Sequence, residues 1–160
     1  MIQHLSQHVT DENVVIGAGT VLDSTTARLA ILNGAEYVVS PHFDPDIAKM
    51  CNRYAVPYLP GCGSVTEIVQ AMETGVDLVK LFPGDLLDAN FIKNVHGPIP
   101  QIELMPSGGV SLDNLEDWYR KGTFAVGIGS ALMKNAKDGN DSVIKENTEK
   151  FVGKFKTIRG

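Results

Sequence analysis

The stretch DLVKLFPGD, residues 77–85, sets one lysine inside an otherwise apolar run. If the run is a strand, side chains alternate, so Leu78, Lys80 and Phe82 share one face while Val79 and Leu81 share the other. Desolvation disfavours the charged form of a buried lysine. It also lowers the pKa and leaves the amine lone pair free to attack a carbonyl, which is Schiff-base chemistry. A snorkelling or ion-paired lysine at a strand end, reaching Asp77 or Asp85, is the competing reading.

A second constellation lies downstream, where PSGGVS (106–111) and GIGSA (127–131) each follow an apolar run and are expected to open a helix. Bare amides at a helix N-terminus attract phosphate, and glycine lets a ligand approach the backbone. A tight turn accounts for either loop singly. Their occurrence in the last two units favours an anion held by local backbone. The overall balance agrees, because 14 Lys and Arg against 19 Asp and Glu give a formal net charge of -5. That sign disfavours nucleic acid as a partner.

The other chemically capable residues have plainer readings. His4 and His8 stand i,i+4 on an expected helix but no third ligand follows nearby, so no metal is expected. His42 and His96 are expected loop histidines. Glu67, after SVT, suits a helix first turn, where a carboxylate complements the dipole. Cys51 and Cys62 lack CxxC spacing and are expected to be buried, reduced thiols.

The elements that must position these residues follow from a repeated pattern. With 160 residues, 43% hydrophobic and 21% charged, the chain has the balance of one soluble domain. No apolar run approaches the ~18 residues of a membrane span, and MIQHLSQHVTDEN lacks the regions of a signal peptide, so a cytoplasmic protein without membrane contact is expected. Six short apolar runs recur: VVIGAG (14–19), EYVVS (36–40), VPYLP (56–60), DLVKLF (77–82), QIELMPS (101–107) and FAVGIG (124–129). Between them lie segments of helical period, several opening on Ser or Asp and closing on Gly. Trp118 and Tyr119 fall on one such helix as packing residues, and 141–157 is expected to be a terminal helix. Alternating βα units imply an α/β fold with a parallel sheet and right-handed crossovers. Gly, Pro, Ser and Thr cluster after every strand rather than after the first alone. That favours a (β/α)8 TIM-barrel type, with about six βα units present, over an open Rossmann sheet.

The motifs GAGTVLD, SPHF, YLPGCGSVTEI, VKLFPGD, MPSGGVSLDN and GIGSAL, in that order, resemble the 2-keto-3-deoxy-6-phosphogluconate (KDPG) / 4-hydroxy-2-oxoglutarate (KHG) aldolase family, class I pyruvate aldolases on a (β/α)8 barrel. The resemblance covers residues 14 to about 133. It implies that Lys80 forms a Schiff base with the keto carbon of pyruvate, and that Thr20, Pro41 and Phe82 line the pyruvate pocket. Ser107, where the family commonly has Thr, would bond the substrate; Gly108, Gly109, Gly129 and Ser130 would hold a distal phosphate. His42 stands where the family frequently has glycine. The resemblance further implies no cofactor and no metal, a phosphorylated keto-deoxy sugar acid as substrate, and a homo-oligomer, which is a trimer in the family.

One departure is large. The family has two βα units before GAGTV, which carry a catalytic glutamate and a substrate-binding arginine; neither has a matching position here. Residues 1–160 are therefore expected to form a single barrel domain, N-terminally incomplete relative to the family, with VVIGAG and FAVGIG flanking an open seam, so that self-association through that seam or a marginally stable fold is expected. Two functions are consistent with this. One is a class I aldolase cleaving a 2-keto-3-deoxy-6-phospho sugar acid, or 4-hydroxy-2-oxoglutarate, to pyruvate and an aldehyde. The other is a non-catalytic phosphosugar-binding or incomplete barrel fragment lacking the glutamate.

Overall fold

Side chains placed just ahead of the helices fix where most of them begin. In a computed structural model describing residues 1–136 and 141–159, the side chains of Asp23, Asp44, Ser64 and Asp88 accept hydrogen bonds from first-turn amides. They cap α2 (Ser24–Leu32), α3 (Pro45–Arg53), α4 (Val65–Met72) and α5 (Ala89–His96). A short α1 (Ile2–His8) precedes them, and α6 (Leu115–Arg120) and α7 (Asp141–Arg159) follow. The terminal helix is thus present, as is a helix across His4 and His8.

The strands are shorter than the apolar runs that encode them. They are β1 (Gly17–Ala18), β2 (Tyr37–Val39), β3 (Tyr58–Leu59), β4 (Gly61–Cys62), β5 (Leu78–Leu81) and β6 (Glu103–Pro106), in two three-stranded sheets ordered β1-β2-β3 and β4-β5-β6. β1 pairs with β2 in parallel, with Gly17 opposite Tyr37; β2 pairs with β3 in parallel, with Val38 opposite Tyr58. The run after Val56 is interrupted at Pro60, which has no N–H to give to a ladder, and its continuation becomes β4.

Two expectations are corrected. FAVGIG forms no strand among the described residues: it follows β6 through Phe124 N to Leu104 O at 3.0 Å and Gly127 N to Pro106 O at 2.8 Å, leaving only a parallel bridge between Ser107 and Gly127. Its two glycines weaken extended pairing, and no strand pairs with its other side among the described residues. GIGSA likewise opens no helix. Its successors make i,i+3 turns, with Leu132 N bonding Gly129 O and Ala136 N bonding Met133 O, both at 3.0 Å.

The chain divides into two compact units, Met1–Lys80 and Leu81–Gly160. In the first, α2 packs on α3 and on β2, over a core that includes Val38, Ile47, Cys51 and Ile68. In the second, α6 packs on α7, with Leu104, Leu115, Trp118 and Phe151 buried and Tyr119 edge-on to Phe155 at 5.7 Å.

Candidate active site

Lys80 is the third residue of β5, and the alternation inferred for its strand is present: Val79 and Leu81 are fully buried, while Leu78 and Lys80 are half-buried. The Lys80 amide donates to the Pro60 carbonyl at 2.9 Å, so strand geometry fixes the root of the side chain. Burial holds the amine below the ordinary lysine value. A larger share of it is neutral, and therefore nucleophilic, than for a lysine in water.

Within the first unit, the loops after β1 and β2 leave the C-terminal ends of parallel neighbours. Thr20 follows β1, is exposed, and lines an open groove of about 470 Å³ with Gly19, Val21 and the start of α1. Pro41 follows β2 and is half-buried. A Cβ at Gly61 would collide with the Pro41 carbonyl carbon and oxygen, so only glycine lets these backbones approach. His42 is half-exposed, with Nε2 4.0 Å from a carboxylate oxygen of Asp44.

Within the second unit, Phe82 is half-buried directly after β5. Ser107, the residue after β6, is fastened at both ends: its amide donates to Leu81 O at 3.0 Å and its carbonyl accepts from Gly84 N at 2.8 Å. Gly108 and Gly109 take φ of +91° and +69°, which side chains other than glycine rarely adopt. Asn114 braces the loop, its side-chain amide bonding Gly109 O and its carbonyl accepting from Ser111 N, both at 2.8 Å. The bridge between Ser107 and Gly127 sends Gly108-Gly109 and Gly129-Ser130 off the same end of adjacent parallel segments. Gly129 faces open space, with nothing within 4 Å of where a side chain would start. Asp85 presses against Gly109, with its Cα and Cβ 2.9 Å from where a Gly109 side chain would start. A carboxyl group there disfavours an anion beside the Gly109 turn.

The remaining candidates have structural duties. Glu67 closes a capping box, accepting from Gly63 N and Ser64 Oγ at 2.9 Å each while its own amide donates to Ser64 Oγ at 3.3 Å. These bonds, the Gly63 amide first, hold its carboxyl below the usual range. His96 Nε2 lies 3.0 Å from Ile102 O, and His8 Nδ1 lies 2.8 Å from His4 O. Among the described residues no group of three His, Cys, Asp or Glu could hold a metal. Cys51 and Cys62 are free and buried, and burial pushes their thiols up to about 11 and about 12. Sequence reasoning missed the pair of buried hydroxyls, Ser40 and Tyr58, that meet 2.6 Å apart beneath the His42 loop. The available signal was a hydroxyl-bearing residue in each of two neighbouring apolar runs.

Known proteins resemble the chain in sequence and in fold. A family model described as KDPG and KHG aldolase matches residues 1–147. A 2-dehydro-3-deoxy-phosphogluconate aldolase of Treponema pallidum is 39% identical over 107 residues, 66% of this chain and 51% of the relative. A native KDPGal structure superposes with a TM-score of 0.90 at 25% identity, over 98% of this chain and 75% of that one. A KDPG aldolase from Legionella pneumophila, with pyruvate captured at low pH as a covalent carbinolamine intermediate, superposes with a TM-score of 0.79 at 26% identity, over 91% of this chain and 71% of that one. The chain spans about half the length of the curated relatives it matches. Its α/β fold is that of the KDPG aldolase structures, and the chain belongs to the KDPG and KHG aldolase family.

Proposed function

We propose that the chain acts as a class I aldolase, cleaving a 2-keto-3-deoxy-6-phospho sugar acid or 4-hydroxy-2-oxoglutarate to pyruvate and an aldehyde, with Lys80 as the amine. The observation that carries this reading is a half-buried lysine on β5 whose pKa is lowered by burial. The Legionella pneumophila relative supports it, since a carbinolamine is the adduct of an amine and a carbonyl carbon.

In the proposed reaction the neutral Lys80 amine adds to C2 of the keto acid, and a proton moves to the former carbonyl oxygen. Loss of water gives the iminium. Deprotonation of the C4 hydroxyl then sends the C3–C4 bonding pair toward the iminium nitrogen, releasing the aldehyde and leaving an enamine. Protonation at C3 and addition of water release pyruvate and regenerate the amine. We assign Thr20, Pro41 and Phe82 to the pyruvate moiety, Ser107 to a hydroxyl contact, and Gly108, Gly109, Gly129 and Ser130 to the distal phosphate.

Incubation with pyruvate and borohydride tests the reading. A single reduced adduct at Lys80 is expected. Labelling scattered over surface lysines, or none, would favour the non-catalytic phosphosugar-binding alternative.

A further inference from the structure

The loop after β2 is tied down by two buried hydroxyls. Ser40 is fully buried and Tyr58 nearly so, at 6% exposure. The Ser40 hydroxyl donates to the His42 carbonyl and meets the Tyr58 hydroxyl at 2.6 Å. The Tyr58 hydroxyl also donates toward the His42 carbonyl at 3.1 Å and accepts from the Asp44 amide at 3.2 Å. Burial pushes the Tyr58 phenol up to about 12, so it stays a neutral donor at ordinary pH. On the loop's other side Gly61 admits the Pro41 carbonyl to a distance that any side chain would forbid. Gly61 follows Pro60, whose carbonyl receives the Lys80 amide. A run of direct contacts therefore leads from the Tyr58 hydroxyl, through the 41–44 backbone and Gly61, to the backbone of Lys80. Phenylalanine and alanine at 58 and 40 would fill nearly the same space but would withdraw these partners from His42 O and Asp44 N.

We propose that Ser40 and Tyr58 are positioning residues, whose hydroxyls hold the 41–44 loop against Gly61 so that Pro41 forms a fixed wall for a small 2-keto acid bound at Lys80. The proposal rests on the aldolase reading above. A wall that is held in place saves the binding energy otherwise spent on ordering it, and so acts on affinity for the keto acid more than on the chemical steps.

The test compares the wild-type chain with Tyr58→Phe and Ser40→Ala, using pyruvate and borohydride and following amide hydrogen exchange at 41–44. For Tyr58→Phe the half-saturating pyruvate concentration for trapping should rise about tenfold, the saturating rate should stay within about twofold, and the loop amides should exchange faster while those of β5 do not. Ser40→Ala should move the same quantities in the same direction, and the double variant should add little beyond Tyr58→Phe, since both act through one cluster. Unchanged half-saturation with unchanged loop exchange in Tyr58→Phe would overturn the proposal, as would a fall in the saturating rate alone. If the wild-type chain shows no trapping, the aldolase reading fails, and the exchange arm alone then decides whether the hydroxyls hold the loop, unchanged protection again counting against them.

Discussion

At the scale of the residue, Lys80 and Tyr58 show how burial turns an ordinary side chain into a committed one. Burial lowers the Lys80 pKa from the ordinary 10.5, so its neutral form appears at lower pH than that of surface lysines. The pH midpoint of pyruvate trapping should accordingly fall below 10.5, and Lys80→Met should abolish trapping. The same shift has a stability consequence. A cationic group whose folded pKa is depressed costs stability below the folded value, and the cost is relieved as pH rises toward the unfolded value. Thermal melts should therefore find Lys80→Met stabilised relative to wild type near neutral pH, with the gain shrinking as the pH approaches 10.5; a gain that grows with pH would contradict the burial account. Tyr58→Phe leaves the Asp44 amide without its acceptor, and denaturant unfolding should register a loss of about 1–2 kcal/mol.

At the scale of the element, caps and loops separate what shapes the fold from what meets the ligand. Ser64 both caps α4 and bonds Glu67, so Ser64→Ala should cost about 1 kcal/mol in denaturant unfolding. The two glycine loops demand different substitutions. Gly109 has φ +69° and Asp85 pressed against it, so a side chain there strains the loop itself. Gly129 faces open space, and Gly129→Val should leave stability within about 0.5 kcal/mol. If the loop holds the distal phosphate, that variant should raise KM for a phosphorylated keto acid at least about tenfold while KM for an unphosphorylated one stays nearly constant. Equal changes for both substrates would assign Gly129 a purely structural part.

For the molecule as a whole, the exposed apolar surface calls for a cover. In the first unit, β1 is a sheet edge and Val14, Val15, Leu29 and Leu32 nearby are exposed. In the second, Phe124 is 60% exposed, and a groove of about 650 Å³ is lined by Leu115, Val126, Ile128, Phe151 and Phe155. Edges and patches of this kind invite pairing. Sedimentation is expected to show a species larger than the 17.3 kDa chain. A monodisperse monomer would count against self-association.

The sequence alone determined the order of βα units, the caps at Asp44, Ser64 and Asp88, the alternating burial around Lys80, and the family, because each is encoded within a few consecutive residues by periodicity, side-chain chemistry or an ordered motif. Tertiary structure decided what depends on a neighbour distant in the chain. FAVGIG has the composition of a strand, yet with only the segment after β6 to bond it keeps a single bridge, and GIGSA turns instead of opening a helix. Local sequence could not foresee Asp85 against Gly109, or Gly61 admitting the Pro41 carbonyl, since both are contacts between loops of different units of the repeat. Nor could it foresee the meeting of Ser40 and Tyr58: one hydroxyl follows β2 and the other lies on β3, and only parallel pairing of these strands brings them to one buried point where main-chain groups need partners.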